Sequence, residues 1–300
     1  MKKRILLFLI IALVFTGCVK QKDDVSVNEK QLQEFQNLIA QTDEPFKVKD
    51  YLDHEIQNAG LKTADALVLE YLNYMESLMY NGFPGYEKQM QSLKDYFDYD
   101  TWTIDESSIQ DSDTMKVYQT FKNAGFKFIH VEGFITAIID YHFLEAYTEM
   151  VSPEISDYSK FMILDSEEPW AIDAGIIIPL TDLADRIAMA EQYIHTYPES
   201  ILKDKVIRQY NFYLRAFLGG LDNTPLVLYD TNKVDPGFVE AFDYFIATYP
   251  DLDTAVTVKT FRAELESKHF KAPYTYNESD KRMAFMKHVD ELVSEMTNKF

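Results

Sequence analysis

The 300-residue chain has one cysteine, Cys18. A lone thiol excludes an intramolecular disulfide and a thiolate metal centre, so the fold must hold by packing alone. There is no Gly-rich phosphate loop and no Gly-x-Ser-x-Gly elbow, the signatures of P-loop enzymes and α/β-hydrolases. The strand–helix alternation of a two-lobed solute-binding protein is missing too. The apolar run 5–14 falls short of the roughly 20 residues that span a bilayer. Positive charge is scarce: 29 Lys and Arg face 49 Asp and Glu, a formal net charge of −20. Such a surface repels nucleic acid and anionic headgroups. The six histidines, His54, His130, His142, His195, His269 and His288, include no pair at zincin spacing. His142 and Glu145 meet if one helical turn carries both.

What is present begins with a leader. Lys2, Lys3 and Arg4 precede the apolar run, and Phe15-Thr16-Gly17 leads to Cys18. This is the n-region, h-region and small-residue cleavage site of a secretory signal. The residues up to Cys18 resemble the lipobox of bacterial lipoproteins, with Phe15 where leucine is usual. The resemblance implies a lipid on the Cys18 thiol, removal of 1–17, and an extracytoplasmic chain anchored to the membrane. The three basic residues lost leave 26 against 49 acidic ones, a formal charge of −23. The polar segment 19–28 reads as a tether reaching about 20 Å.

The body is expected to be mostly α, a helical-hairpin array with one small β-hairpin at about 126–139. Apolar spacing predicts helices over 29–40, 47–59, 64–80 with Thr63 as cap, 86–97, 114–124, 141–150 and 153–164. Others follow over 181–196, 201–218, 236–248, 254–268 and 280–299. The 64–80 helix is apolar almost all round and should be central. The period changes at 126–131 and 134–139, two β-branched runs around Glu132-Gly133, which predict the hairpin. Segments 98–113, 167–179 and 221–234 read as loops. The expected division is an N-terminal helical region, 29–125, and a region 126–300 packed with it.

A near-repeat marks the C-terminal half. Tyr193-Ile194-His195-Thr196-Tyr197-Pro198-Glu199 returns 52 residues later as Phe245-Ile246-Ala247-Thr248-Tyr249-Pro250-Asp251. The residue before proline disfavours α geometry, so each copy ends a helix and turns into another. These corners resemble those of tetratricopeptide-like repeats, although the 34-residue period is absent. With 166–170 and 219–225, they also look like a group of uncharacterised secreted helical proteins of Gram-positive bacteria. That resemblance spans about 126–269 and implies an extracellular setting.

Three clusters carry oxygen or aromatic chemistry. Glu167, Glu168, Trp170 and Asp173 place carboxylates beside an indole, as acid–base hydrolysis of a glycan requires, with Asp222 and Asn223 in a following loop. Each also has a plain structural use: a helix end, a core tryptophan, turn residues. Asp98, Asp100, Asp105, Glu106, Asp111 and Asp113 crowd one loop, and Asp230, Asn232 and Asp235 another. Both are oxygen-rich enough for weak calcium, but neither has EF-hand spacing. No other cofactor is expected. The leading expectation is a lipid-anchored binding or scaffold module of the cell envelope, engaging an envelope protein or polymer but not nucleic acid. A glycan hydrolase using Glu167, Glu168 and Asp173, or a small-ligand module, are the alternatives.

Overall fold

Helices build most of the protein. It is seen in a computed structural model that describes residues 26–300 apart from Asp43, Glu132 and Tyr276. The leader, Cys18 and most of the tether lie outside the described residues. No helix among the described residues is long and apolar enough to cross a membrane.

The first half contains α1 (Glu29–Gln41), α2 (Pro45–Glu55), α3 (Leu61–Tyr80), the short α4 (Glu87–Met90) and α5 (Ser112–Asn123). Helix α3 is central, as its apolar girth predicts: Leu67, Val68, Tyr71, Leu72 and Met75 are fully buried. Thr63 does not cap it. The helix starts at Leu61, and the buried Thr63 hydroxyl accepts from the Asn28 amide at 2.9 Å. The expected 86–97 helix is mostly 3₁₀, from Gln91–Tyr96, and Tyr141–Tyr147 is also 3₁₀. Both 3₁₀ segments abut strands, and Asp140 bonds the His142 amide at 3.3 Å, tightening the turn out of the hairpin.

The predicted loops contain short antiparallel pairs. β1 (Phe97–Asp98) pairs with β2 (Thr103–Ile104) inside the acidic segment. β3 (Phe126–Val131) and β4 (Phe134–Ile139) form the predicted hairpin, with Gly133 at φ +90° in its turn. β5 (Ala171–Ile172) pairs with β6 (Gly175–Ile176), and β7 (Val227–Leu228) with β8 (Lys233–Val234). Two-residue strands are too short to show a period of two, so their sequences look like irregular loops.

The second half is the array: α6 (Pro153–Glu167), α7 (Leu180–Thr196), α8 (Lys203–Gly219), α9 (Pro236–Thr248), α10 (Asp253–Ser267) and α11 (Ser279–Thr297). The near-repeat is structural. Each copy turns at its Tyr-Pro pair, and each corner tyrosine hooks an aspartate on an earlier helix. Tyr197 donates to Asp157 on α6 at 2.6 Å, and Tyr249 to Asp185 on α7 at 2.7 Å. The ring four residues earlier packs against each, Tyr193 at 5.0 Å and Phe245 at 5.4 Å. One hydrophobic core runs through both halves, from Phe35 on α1 to Met296 on α11. Polar ties cross it as well: Tyr71 donates to the Ala124 carbonyl at 2.5 Å, and Lys205 on α8 pairs with Glu76 on α3 at 2.6 Å.

Candidate functional site

The roomiest cavity described is a groove of about 580 Å³ beside β3. Ligand clefts commonly measure about 300–1,000 Å³. Its walls come from four places: the β1–β2 turn with Trp102, α5 with Tyr118 and Lys122, the strand β3, and the segment after α6 with Glu167, Ile172 and Ile177. Its floor is aromatic. Tyr118 stacks on Phe128 at 5.7 Å, and Phe121 meets Phe126 at 5.7 Å. Its rim holds apolar side chains in water: Trp102 is 52% exposed, Ile172 45% and Ile177 53%.

Trp102 is held there by local structure. The Asp98 carboxylate accepts from the Asp100 amide at 2.8 Å and from Thr101 at 3.4 Å, winding the β1–β2 turn. The bond from Asp100, chiefly, holds the Asp98 carboxyl below its ordinary range. The turn puts Trp102 at φ +54°, a left-handed conformation that costs a bulky residue free energy. Its ring then stands edge-on to Phe97 at 6.1 Å. Sequence reasoning missed Trp102. The available signal was one of only two tryptophans in an otherwise acidic segment.

The groove's charges balance one another. Lys122 pairs with Glu106 at 2.5 Å. Lys127 donates to the Ser166 carbonyl at the end of α6, where a cation complements the helix dipole. Burial pushes the Lys127 ammonium below its ordinary pKa, while Asp140 and Glu167 oppose the shift. Nearby, His142 bridges Asp140 at 2.6 Å and Glu167 at 3.0 Å. The bonds to Glu167 and Asp140 raise the imidazole's pKa. This ties the end of β4 to the end of α6. His142 and Glu145 are not paired on an α-helical turn; the histidine's partners come from elsewhere.

The expected carboxylate cluster is divided. Glu167 turns to His142, whereas Glu168 turns to Arg186 at 3.4 Å. Trp170 is half-buried and packs edge-on against Tyr213 at 5.5 Å, closing the corner between α6 and α8. Asp173 sits in the β5–β6 turn at φ +49°. The structure does bring Asp173 to Asn223, whose side-chain amide donates to the Asp173 carbonyl, while the Asn223 backbone bonds Ala174 at 2.9 Å. Asp222 leaves that pair for Arg282, beside a separate cavity of about 300 Å³.

The acidic loops use their carboxylates on backbone amides. Asp105 accepts from Ser107 at 3.1 Å, Asp111 from Thr114 at 2.7 Å, Asp230 from Thr231 at 2.8 Å and Asp235 from Gly237 at 2.8 Å. Asn232 takes φ +52° in the β7–β8 turn. These are turn and N-cap roles. Glu191, His195 and Asp253 approach one another within 4.8 Å, close enough to share a cation. However, both Glu191 oxygens already accept from the first amides of α10, at 2.7 and 3.2 Å. The Lys299 ammonium also lies 3.6 Å from Asp253. The chain matches no family model, no curated protein and no solved structure.

Proposed function

We propose that this protein is a lipid-anchored binding module of the cell envelope that engages its partner through the groove beside β3. The observation that carries the reading is the exposure of Trp102 at positive φ on the rim of an aromatic-floored groove. Strain and solvent-exposed apolar surface are both costs to a monomer, and both are offset when a partner covers the site. The leader-like segment and Cys18 support a module held outside the membrane, and the formal charge of −23 left after removal of 1–17 would keep its body off anionic headgroups. Hydrolysis has less support, because Glu167 turns to His142, Glu168 turns to Arg186 and Asp173 lies in a turn.

Photo-crosslinking in cells tests this. A photoreactive residue at Ile177, on the groove rim, should give a discrete adduct that Trp102→Ala abolishes. The same residue at Ile201, 73% exposed and outside the groove, should not. Equal labelling at both positions, or labelling indifferent to Trp102, refutes the groove as the binding site. Cys18→Ser should release the protein from the membrane fraction; unchanged retention would sink the anchor.

A further inference from the structure

The groove has a wall that side chains alone do not explain. The Asp140 amide bonds the Gly125 carbonyl at 2.8 Å, which makes Gly125 and Asp140 a hydrogen-bonded pair of the hairpin. With the register Phe126↔Ile139 onward, the alternation of an antiparallel ladder follows. Lys127 and Ile129 turn their backbone groups to β4, and Phe126 and Phe128 turn theirs away from it. The opposite edge supports this phase. Ile135, which also points outward, bonds the Gln91 side-chain amide with both its backbone groups, at 3.0 and 2.8 Å. A glutamine thus closes the β4 edge as a third strand would.

The β3 edge has no such hydrogen-bonded cover, although β2 comes within 8 Å of β3 across part of the groove. Among the described residues, the backbone N–H and C=O groups of Phe126 and Phe128 have no hydrogen-bond partner. Yet Phe126 is only 2% exposed and Phe128 5%, and both line the groove. Buried backbone polar groups in folded proteins are almost always paired, with protein or with water, so two successive outward-facing positions on one edge offer a donor–acceptor pattern that an added strand can fill.

We infer that the groove takes an extended, uncharged polypeptide segment that adds to β3 as a third strand. The inference rests on the groove being the binding site. Strand addition supplies the missing bonds at the ladder spacing, and alternate side chains of the segment meet Trp102 and Ile177. The segment is uncharged because each charged group of the groove already has a partner, Lys122 in Glu106, Lys127 in the Ser166 carbonyl, and Asp140 and Glu167 in His142, although the chain as a whole is strongly acidic. Any charge it brought into the groove would be desolvated without a partner.

The test uses the chain 18–300 carrying Cys18→Ser and the heptapeptide acetyl-Thr-Val-Thr-Val-Thr-Val-Thr-amide. Two further versions are N-methylated at the odd or the even inner residues. Calorimetry should show binding that Trp102→Ala weakens about tenfold and that one N-methyl version, but not the other, weakens about tenfold. Amide exchange at Phe126 and Phe128 should slow on binding, while Lys127 and Ile129, already bonded to β4, change little. Suppose binding depends on Trp102 but neither N-methyl pattern matters and Phe126 and Phe128 stay unprotected. Strand addition then fails, although the groove remains a binding site. No binding at about 1 mM peptide also overturns strand addition, and the Ile177 cross-link then decides the groove by itself.

Discussion

Arg186 lies in the packing of α6, α7 and α8 with a side chain 2% exposed. Its guanidinium bonds Asp165 at 2.7 Å and Glu168 at 3.4 Å, while its Nε has no partner among the described residues. Asp165 also receives Tyr213 at 2.5 Å and Gln209 at 2.8 Å. Arg186→Met fills similar volume but removes the cation and leaves Asp165 a buried acid. Breaking one partner of a buried pair costs about 3–5 kcal/mol. Asp165 keeps two neutral donors, so we expect the lower end, about 3 kcal/mol. In a chain of this size that lowers Tm by roughly 6–9 °C.

The loss should depend on pH. Burial already raises the Asp165 carboxyl above its ordinary value, against the opposing effects of Tyr213 and Arg186. Without Arg186 its folded pKa rises further above the unfolded one. The native variant then binds a proton more tightly than its unfolded chain, so the deficit shrinks as pH falls through that folded value. Thermal and urea melts of both chains between pH 4 and 8 would measure it. A deficit under about 0.5 kcal/mol, or one that does not narrow at low pH, refutes the argument that Arg186 compensates a buried charge.

His142 bonds two carboxylates, which raises its folded pKa above the ordinary 6.5. Its contribution to stability should therefore be complete below about pH 6.5 and disappear as pH rises through the folded value; melts of His142→Ala against the parent should converge at alkaline pH. At Gly220, φ is +71° and a Cβ would lie 2.4 Å from the Leu226 nitrogen. Gly220→Ala should thus cost about 2 kcal/mol or more, and considerably more than Gly82→Ala, where φ is also positive but no atom lies within 4 Å. Equal Tm losses for the two would contradict this. Gln91→Ala strips two bonds from the β4 edge and should cost about 1–3 kcal/mol, with faster amide exchange at Ile135.

Much of the fold was legible because it is local. The 126–139 hairpin shows in its period of two, and α3 in its apolar girth. Pro153 and Pro236 open helices as N1 prolines. The 3₁₀ segments were not legible, since apolar residues three apart fit either helix and the choice is made by the strands they abut. The site was barely legible. Glu167 was the only residue of the expected cluster to reach the groove, while Trp170 went to a helix corner. Trp102 and the β3 edge with its Lys127 gave no joint pattern, because they belong to separate segments of the chain and meet only through packing.

The sequence by itself determined the helical array, the hairpin and the two Tyr-Pro corners, because helix periods, proline stops and turn glycines act within a few residues. It also carries the basic and apolar residues before Cys18, on which the proposed membrane anchor rests. Only the tertiary structure decided that Asp157 and Asp185 receive the corner tyrosines, that Gln91 closes one edge of the hairpin, and that the other edge opens into a groove. The three pairings join residues 40, 64 and 44 positions apart and the groove gathers several separate segments, so sequence spacing carries no geometric constraint and burial of the shared core selects the partners.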